Sequence, residues 1–287
     1  MFQFRFLDEE SNPSKTSDSS ADIAEEKWFE AKEIHPKNDF VKEISDNCVN
    51  TFKCGKNISI KHITSDAAKI FSAKVKNLPV FQAERSDSDL LTGVYEGGLK
   101  IWECTYDLAN FITKQRIDLN NQTVLDLGCG SGIIGILALI KGSTVYFQDY
   151  NEEVVEFVTI PNVYLNIDIT AEDNIRNKCK FYSGDWNSFL VLTADNSKND
   201  DNKFDFIFTC ETIYNINNYK KLHAVFTELL KPNGVIYLAA KTYYFGVGGG
   251  LREFEDFMIQ QNVFDFSTCW KCSEGLQREI LKITFKS

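Results

Sequence analysis

The run Val124-Leu-Asp126-Leu-Gly128-Cys-Gly130-Ser-Gly132 is where this chain could do chemistry. Glycines at alternate positions let backbone pass close to a ligand with no Cβ in the way. The N-terminus of a following helix favours a negative group. A tight strand-to-helix turn with no ligand is the plain alternative, and three alternating glycines after a buried strand argue against it. Gly130-Ser-Gly132-Ile-Ile-Gly135 also satisfies G-x-G-x-x-G, with Asp149 placed to reach a ribose hydroxyl. These residues alone do not separate a nicotinamide dinucleotide from S-adenosylmethionine.

Three further features favour the sulfonium compound. Asp126 sits inside the strand end, where it could orient the loop or reach the ligand's amino-acid end. Gly184-Asp185-Trp186 follows a later strand; a carboxylate there can accept from an adenine amino group, and an indole can pack on its face. Thr209-Cys-Glu211-Thr-Ile-Tyr214 is an acidic-x-x-aromatic cluster over the place a reactive methyl would occupy. Each has a plain reading: a turn cap, a core indole, a solvated loop acid. A dehydrogenase explains none of the three.

Positioning these groups requires alternating strands and helices. Apolar runs predict strands at 58–63, 123–127, 144–148, 180–183, 204–210, 235–240, 264–270 and 279–285. Helices are expected at 103–114, 133–141, 152–165 (bent or broken at Pro161), 222–230 and 254–261, with Pro232-Asn-Gly234 as a stop and the polar stretch 195–202 as a loop. The alternation predicts an α/β, mostly parallel, doubly wound sheet with an antiparallel C-terminal strand, which binds ligands beyond the strands' C-terminal ends. Residues 1–80 read as a partly disordered N-terminal extension, with Asp8–Glu26 too polar to bury anything. Trp28, Phe29 and Ile34 form an aromatic island expected to dock on the main domain, residues 81–287.

Eight cysteines are scattered through the 287 residues, several in apolar runs, as reduced buried thiols would be. Cys269 and Cys272 form a lone C-x-x-C without the further ligands that zinc needs, so no metal is expected. His35, His62 and His223 show no partner motif and read as surface or helix-face residues. A formal net charge of -10 argues against nucleic-acid binding through a broad basic face; it suits a small-molecule enzyme or a basic protein partner. No signal peptide or membrane-spanning run is visible, and a cytoplasmic and nuclear monomer is expected.

Residues 90–285 resemble the seven-stranded, Rossmann-like S-adenosylmethionine-dependent methyltransferases. Within these they are most similar to the eukaryotic histidine protein methyltransferases of the methyltransferase-like 18 type. The matching runs are DLLTGVYEGGLKIWECT (Asp89 to Thr105), VLDLGCGSG, FQDYN (Phe147 to Asn151), VTIPNV (Val158 to Val163), SGDW, ETIYN (Glu211 to Asn215) and YFGVGGG (Tyr244 to Gly250). The resemblance implies that Ile101, Trp102, Glu103, Cys104 and Thr105 wrap the methionine end and ribose of the cofactor. It places Gly128 in the glycine loop, and Asp126 and Gly130 are expected among the cofactor contacts. Gln148, Asp149 and Tyr150 would hold the ribose and adenine, and Gly184, Asp185 and Trp186 would frame the ring. Cys210 stands where the family often has Ser, so a backbone contact survives there and a hydroxyl contact does not. The family's substrate is one histidine of large-subunit ribosomal protein three. Glu211 would then fix the acceptor imidazole's tautomer, with Tyr214 packing on its ring. A lysine or small-molecule methyltransferase, and a non-catalytic cofactor-binding assembly factor, remain as alternatives.

Overall fold

The computed structural model describes residues 28–36, 44–64, 66–67, 90, 93–167, 178–197, 199–272 and 274–287. The fully apolar segments form the centre. Strand β4 (Thr123–Leu127) is flanked by β5 (Thr144–Asp149) and β7 (Phe204–Cys210), both parallel to it. Beyond them lie β6 (Cys179–Ser183) on one side and β8 (Leu230–Lys241) on the other. β9 (Phe264–Cys272) and β10 (Arg278–Phe285) close that side antiparallel, and a two-residue strand β1 (Lys32–Glu33) closes the other. The sheet order is β1-β6-β5-β4-β7-β8-β10-β9, so strand order reverses at β4. A separate hairpin joins β2 (Val49–Cys54) to β3 (Ile58–Ile63).

Helices cover both faces. α1 (Glu103–Lys114) and α2 (Ile133–Ile140) pack with the hairpin on one side. On the other lie α4 (Trp186–Ser197), α5 (Tyr219–Leu229) and α6 (Leu251–Gln261). Every residue of α2 from Ile133 to Leu139 is buried, as expected for a helix enclosed by sheet, hairpin and neighbouring helices. The Phe147 and Phe181 rings stack at 5.2 Å beneath it.

The expected fold class holds, and four local expectations are corrected. The break at Pro161 is absent. The helix, α3, runs in three continuous pieces, Glu152–Val154, a π turn at Val155–Thr159, and Ile160–Asn166. Pro161 falls in the first turn of the last piece, where its missing N–H costs least. The polar stretch 195–202 does not begin as a loop, since α4 runs into it as far as Ser197. That helix is anchored by the fully buried Phe189, and Asp185 caps it by accepting from Asn187 N at 3.0 Å. Pro232-Asn-Gly234 does not stop the chain before β8. Pairing jumps from Phe204↔Leu230 to Phe206↔Val235, so the three residues bulge out within the strand. His62 is buried in β3 and not at the surface; His223 is a helix-face residue as read, on the inner face of α5 between Phe257 and Phe264, where burial lowers its pKa. The polar run Asp8–Glu26 lies outside the described residues.

Candidate active site

The C-terminal ends of β4 to β8 converge on a cavity of about 400 Å³, at the point where strand order reverses. The glycine turn after β4 forms its floor. Gly128 adopts φ +65°, and a Cβ there would stand 2.6 Å from Thr212 Cγ2. Gly130 adopts φ +49° and lies against Gly98, whose carbonyl would be 3.2 Å from an added Cβ. The turn is tied to the next strand end. Cys129 N donates to Gln148 O at 2.8 Å, and Gly130 N donates to Asp149 Oδ2 at 2.8 Å.

Thirteen of the residues expected from the sequence line this cavity: Ile101, Trp102, Thr105, Gly128, Gly130, Asp149, Tyr150, Gly184, Asp185, Trp186, Cys210, Glu211 and Tyr214. Four stand behind its wall. Asp126 is buried and accepts from Gly135 N at 2.8 Å, which pins the first turn of α2 beneath the glycine loop. Gln148, fully buried, donates to Gly184 O at 2.8 Å and accepts from Trp186 Nε1 at 3.0 Å. Cys104 is enclosed in the core, and Glu103 turns to Lys241, 3.2 Å away. These four support the lining and do not themselves form it. Asp185 lies on the wall with both oxygens engaged, one by Asn187 N and the other by Lys221 Nζ at 2.6 Å.

Glu211 takes an unusual backbone conformation for a non-glycine residue, with φ +58°. Its N–H donates to Ala239 O at 2.9 Å, fixing the turn to β8. The Tyr244 hydroxyl donates to Glu211 Oε2 at 2.5 Å, while Oε1 accepts no hydrogen bond among the described residues and faces Lys241 Nζ at 3.6 Å. A second pair stands beside this one. The hydroxyl of Tyr214 donates to Glu96, whose other oxygen accepts from Gly93 N at 2.7 Å. The Tyr214 and Tyr244 rings meet edge-on at 6.3 Å. Two carboxylate–tyrosine pairs therefore share one aromatic wall.

Sequence reasoning missed Glu96, Lys241 and Tyr244 as members of the site. Glu96 and Tyr244 lay inside motifs already singled out, but nothing local marks their partners 118 and 33 residues away. Asn218, at the start of α5, also lines the cavity, with a buried Oδ1 that has no partner among the described residues.

The electrostatics are those of desolvated acids. Burial raises Asp126 to about 8, Glu96 to about 7 and Asp149 to about 6. Tyr244 is pushed well up by burial and by the adjacent Glu211, so its hydroxyl stays a donor. Backbone donors, a carboxylate and an indole around a close-fitting glycine cradle match a sulfonium nucleoside carrying an amino acid. Among the described residues no group of three His, Cys, Asp or Glu side chains could hold a metal ion, and no helix is long and apolar enough to cross a membrane.

Known proteins agree with this geometry. A family model described as lysine methyltransferase matches residues 90–247. The histidine protein methyltransferase 1 homolog of Bos taurus is 40% identical over 278 residues, covering 89% of this chain and 73% of the relative. That of Dictyostelium discoideum is 46% identical over 201 residues, covering 69% and 61%. The chain belongs to the histidine protein methyltransferase family. This family member uses S-adenosylmethionine as methyl donor. A solved structure described as an S-adenosylmethionine-dependent methyltransferase from Streptococcus mutans has a TM-score of 0.51 at 11% identity, covering 84% of this chain and 57% of that one, and shows the shared fold.

Proposed function

We propose that this histidine protein methyltransferase family member methylates an imidazole nitrogen of a histidine in a basic protein, a large-subunit ribosomal protein being the favoured substrate. The observation that carries the acceptor site is Glu211: buried against the cavity, strained in backbone, and with one oxygen that accepts no hydrogen bond among the described residues. A neutral imidazole offers an N–H to that oxygen and a lone pair on its other nitrogen, so holding one orients the other. Tyr244 and Lys241 fix the carboxylate, and Tyr214, clamped by Glu96, supplies a ring for the imidazole to pack on.

S-adenosylmethionine supplies an electrophilic methyl on a good leaving group. The chain's own task is alignment, which can be worth roughly 7–11 kcal/mol of barrier. In this reading Asp149 and Tyr150 hold the ribose, and Gly184, Asp185 and Trp186 frame the adenine. The glycine turn and residues 101–105 hold the amino-acid end, with Asp126, Gln148, Glu103 and Cys104 as supports. Cys210 gives its thiol to the Cys104 carbonyl at 3.8 Å, leaving its backbone for contact. A formal charge of -10 favours encounter with a basic partner. A ribosomal substrate would place the reaction in the cytoplasm and nucleus.

The test is incubation with labelled cofactor and a ribosomal protein extract, followed by mapping of the labelled residue. Label on histidine supports the reading. Label on lysine moves the protein to the acceptor that the matching family model is named for, and no labelled protein overturns both.

A further inference from the structure

We infer that residues 28–34 form part of the cofactor site, with Trp28 as a nucleoside-contacting residue that closes the adenine end of the cavity. This rests on the S-adenosylmethionine reading and extends the site to a segment whose nearest strand partner is about 150 residues away, at Ser183.

The segment is laid along the free edge of the sheet. Lys32 pairs with Ser183 and Glu33 with Tyr182, antiparallel, and Ile34 N donates to Phe181 O at 2.8 Å. Ala31 N donates to Ser188 Oγ at 2.8 Å, and Asp185 N donates to Phe29 O at 2.9 Å. Phe29 N donates to Tyr150 Oη at 3.3 Å. The bonds to Tyr150 and Asp185 fall on the two loops assigned to the adenine, after β5 and after β6.

Gly184 shows that the approach is built in. A Cβ there would stand 2.5 Å from Ala31 Cα and 2.6 Å from Glu30 O. No side chain fits between the two backbones, so the glycine of Gly184-Asp185-Trp186 serves the passage of residues 30–31. Ile34 is buried in the hydrophobic core cluster that also contains Phe181, so the segment is anchored past its pairing residues.

Its leading residue then turns into the cavity. Trp28 lines it together with Tyr150, Gly184, Asp185 and Trp186. The Trp28 and Tyr150 rings meet edge-on at 5.9 Å, and Lys221 Nζ lies 3.4 Å from the centroid of the Trp28 ring while bound to Asp185. A cation clamped between a carboxylate and an indole face fixes that indole. Two indoles, a phenol and hydrogen-bonding loop backbone enclose one space. A flat heterocycle with polar edges, such as an adenine, fits that space. Because the ligand and the segment share this wall, each stabilises the other's placement, by the same free energy in both directions.

Calorimetric titration of the full chain with S-adenosylhomocysteine and with 5′-methylthioadenosine, which keeps the nucleoside and lacks the amino acid, tests this. Trp28→Ala should weaken both by about tenfold, the scale of one lost base–aromatic contact. Ser188→Ala touches the docked segment outside the cavity and should weaken both by roughly threefold through one lost hydrogen bond. In the wild-type chain, S-adenosylhomocysteine should slow amide hydrogen exchange across Phe29–Ile34. Affinities unchanged in both variants, or exchange unaltered by ligand, overturn the inference. A loss for S-adenosylhomocysteine without one for methylthioadenosine overturns it too, since the contact would lie at the amino-acid end. If the wild-type chain binds neither compound, the cofactor reading itself fails.

Discussion

The two walls of the cavity are made of different materials. In the proposed reading the cofactor wall is held together mainly by backbone: a glycine turn and strand ends joined by short main-chain bonds, with Gly184 N donating to Asp149 O at 3.0 Å and Cys129 N to Gln148 O at 2.8 Å. The acceptor wall is side chain. Glu211 meets Tyr244, Glu96 meets Tyr214, and Lys241 lies between Glu211 and Glu103. Backbone geometry survives most substitutions of neighbouring residues, whereas a side-chain pair is lost with either member. The proposed reading therefore predicts that holding the donor and orienting the acceptor are separable properties of one cavity.

The sharpest break in that separation comes from Glu211→Ala. Turnover on the protein substrate should fall by more than about a hundredfold, with S-adenosylhomocysteine affinity unchanged. Single-turnover kinetics with calorimetry checks this, and equal turnover would remove Glu211 from the chemistry. Gly128→Val attacks the opposite wall. A β-branched residue at φ +65°, with its Cβ 2.6 Å from Thr212, should weaken S-adenosylhomocysteine by about tenfold to a hundredfold. The rate at saturating cofactor should stay much closer to that of the parent. If rate and affinity fall together for both variants, the walls are not independent.

Tyr214→Phe is a milder probe of the acceptor wall. Losing one hydrogen bond to a carboxylate should lower kcat/KM for the protein substrate by about tenfold and leave cofactor affinity within about twofold. The smallest effect is on stability. Asp126, Glu96 and Asp149 have folded pKa values raised to about 8, 7 and 6 from ordinary values of 3.8, 4.5 and 3.8. Each keeps its proton in the folded chain at a pH where the unfolded chain has released it. Their contribution is therefore full below about pH 4 and declines as pH rises toward 8. Urea unfolding at pH 5 and pH 8 should show this decline, and Asp126→Asn should flatten it. A slope that Asp126→Asn leaves unchanged would show that this acid is not the source.

The same division governed what could be read from the amino acids. α1, β3, β4 and β7 begin and end where the sequence pattern placed them, because β4 and β7 are compact apolar runs, β3 alternates and α1 is amphipathic. The cofactor wall was legible for a related reason: its parts are contiguous motifs at strand ends. β2 was missed because four of its six residues are polar or small and three are exposed, so no alternation stands out. α4 was missed: Asp195 and Asn196 look like a loop, while Phe189 and the Asp185 cap decide the helix from its other end. The acceptor wall was half legible. Glu211 and Tyr214 belong to one motif, but the tyrosine that holds Glu211 and the acid that holds Tyr214 come from elsewhere. Trp28 announced itself as an aromatic island, yet its target appears only when β1 joins the sheet.

The π turn in α3 carries one residue more than a regular helix of the same rise. Upstream of that surplus, Glu153 and Val154 are buried. At its end the Thr159 hydroxyl donates to Gly130 O at 2.6 Å. Downstream, Asn162 reaches Ser131 O with its amide and receives Ile63 N, and Asn166 receives Lys61 N. Helical residues advance by about 100° each, so excising one would rotate everything on one side of the cut by that angle relative to the other. The helix thus works as a keyed shaft between the β2–β3 hairpin and the cofactor turn. Its phase is constrained as tightly as its composition, and a length change that any ordinary surface helix would absorb would here uncouple the two.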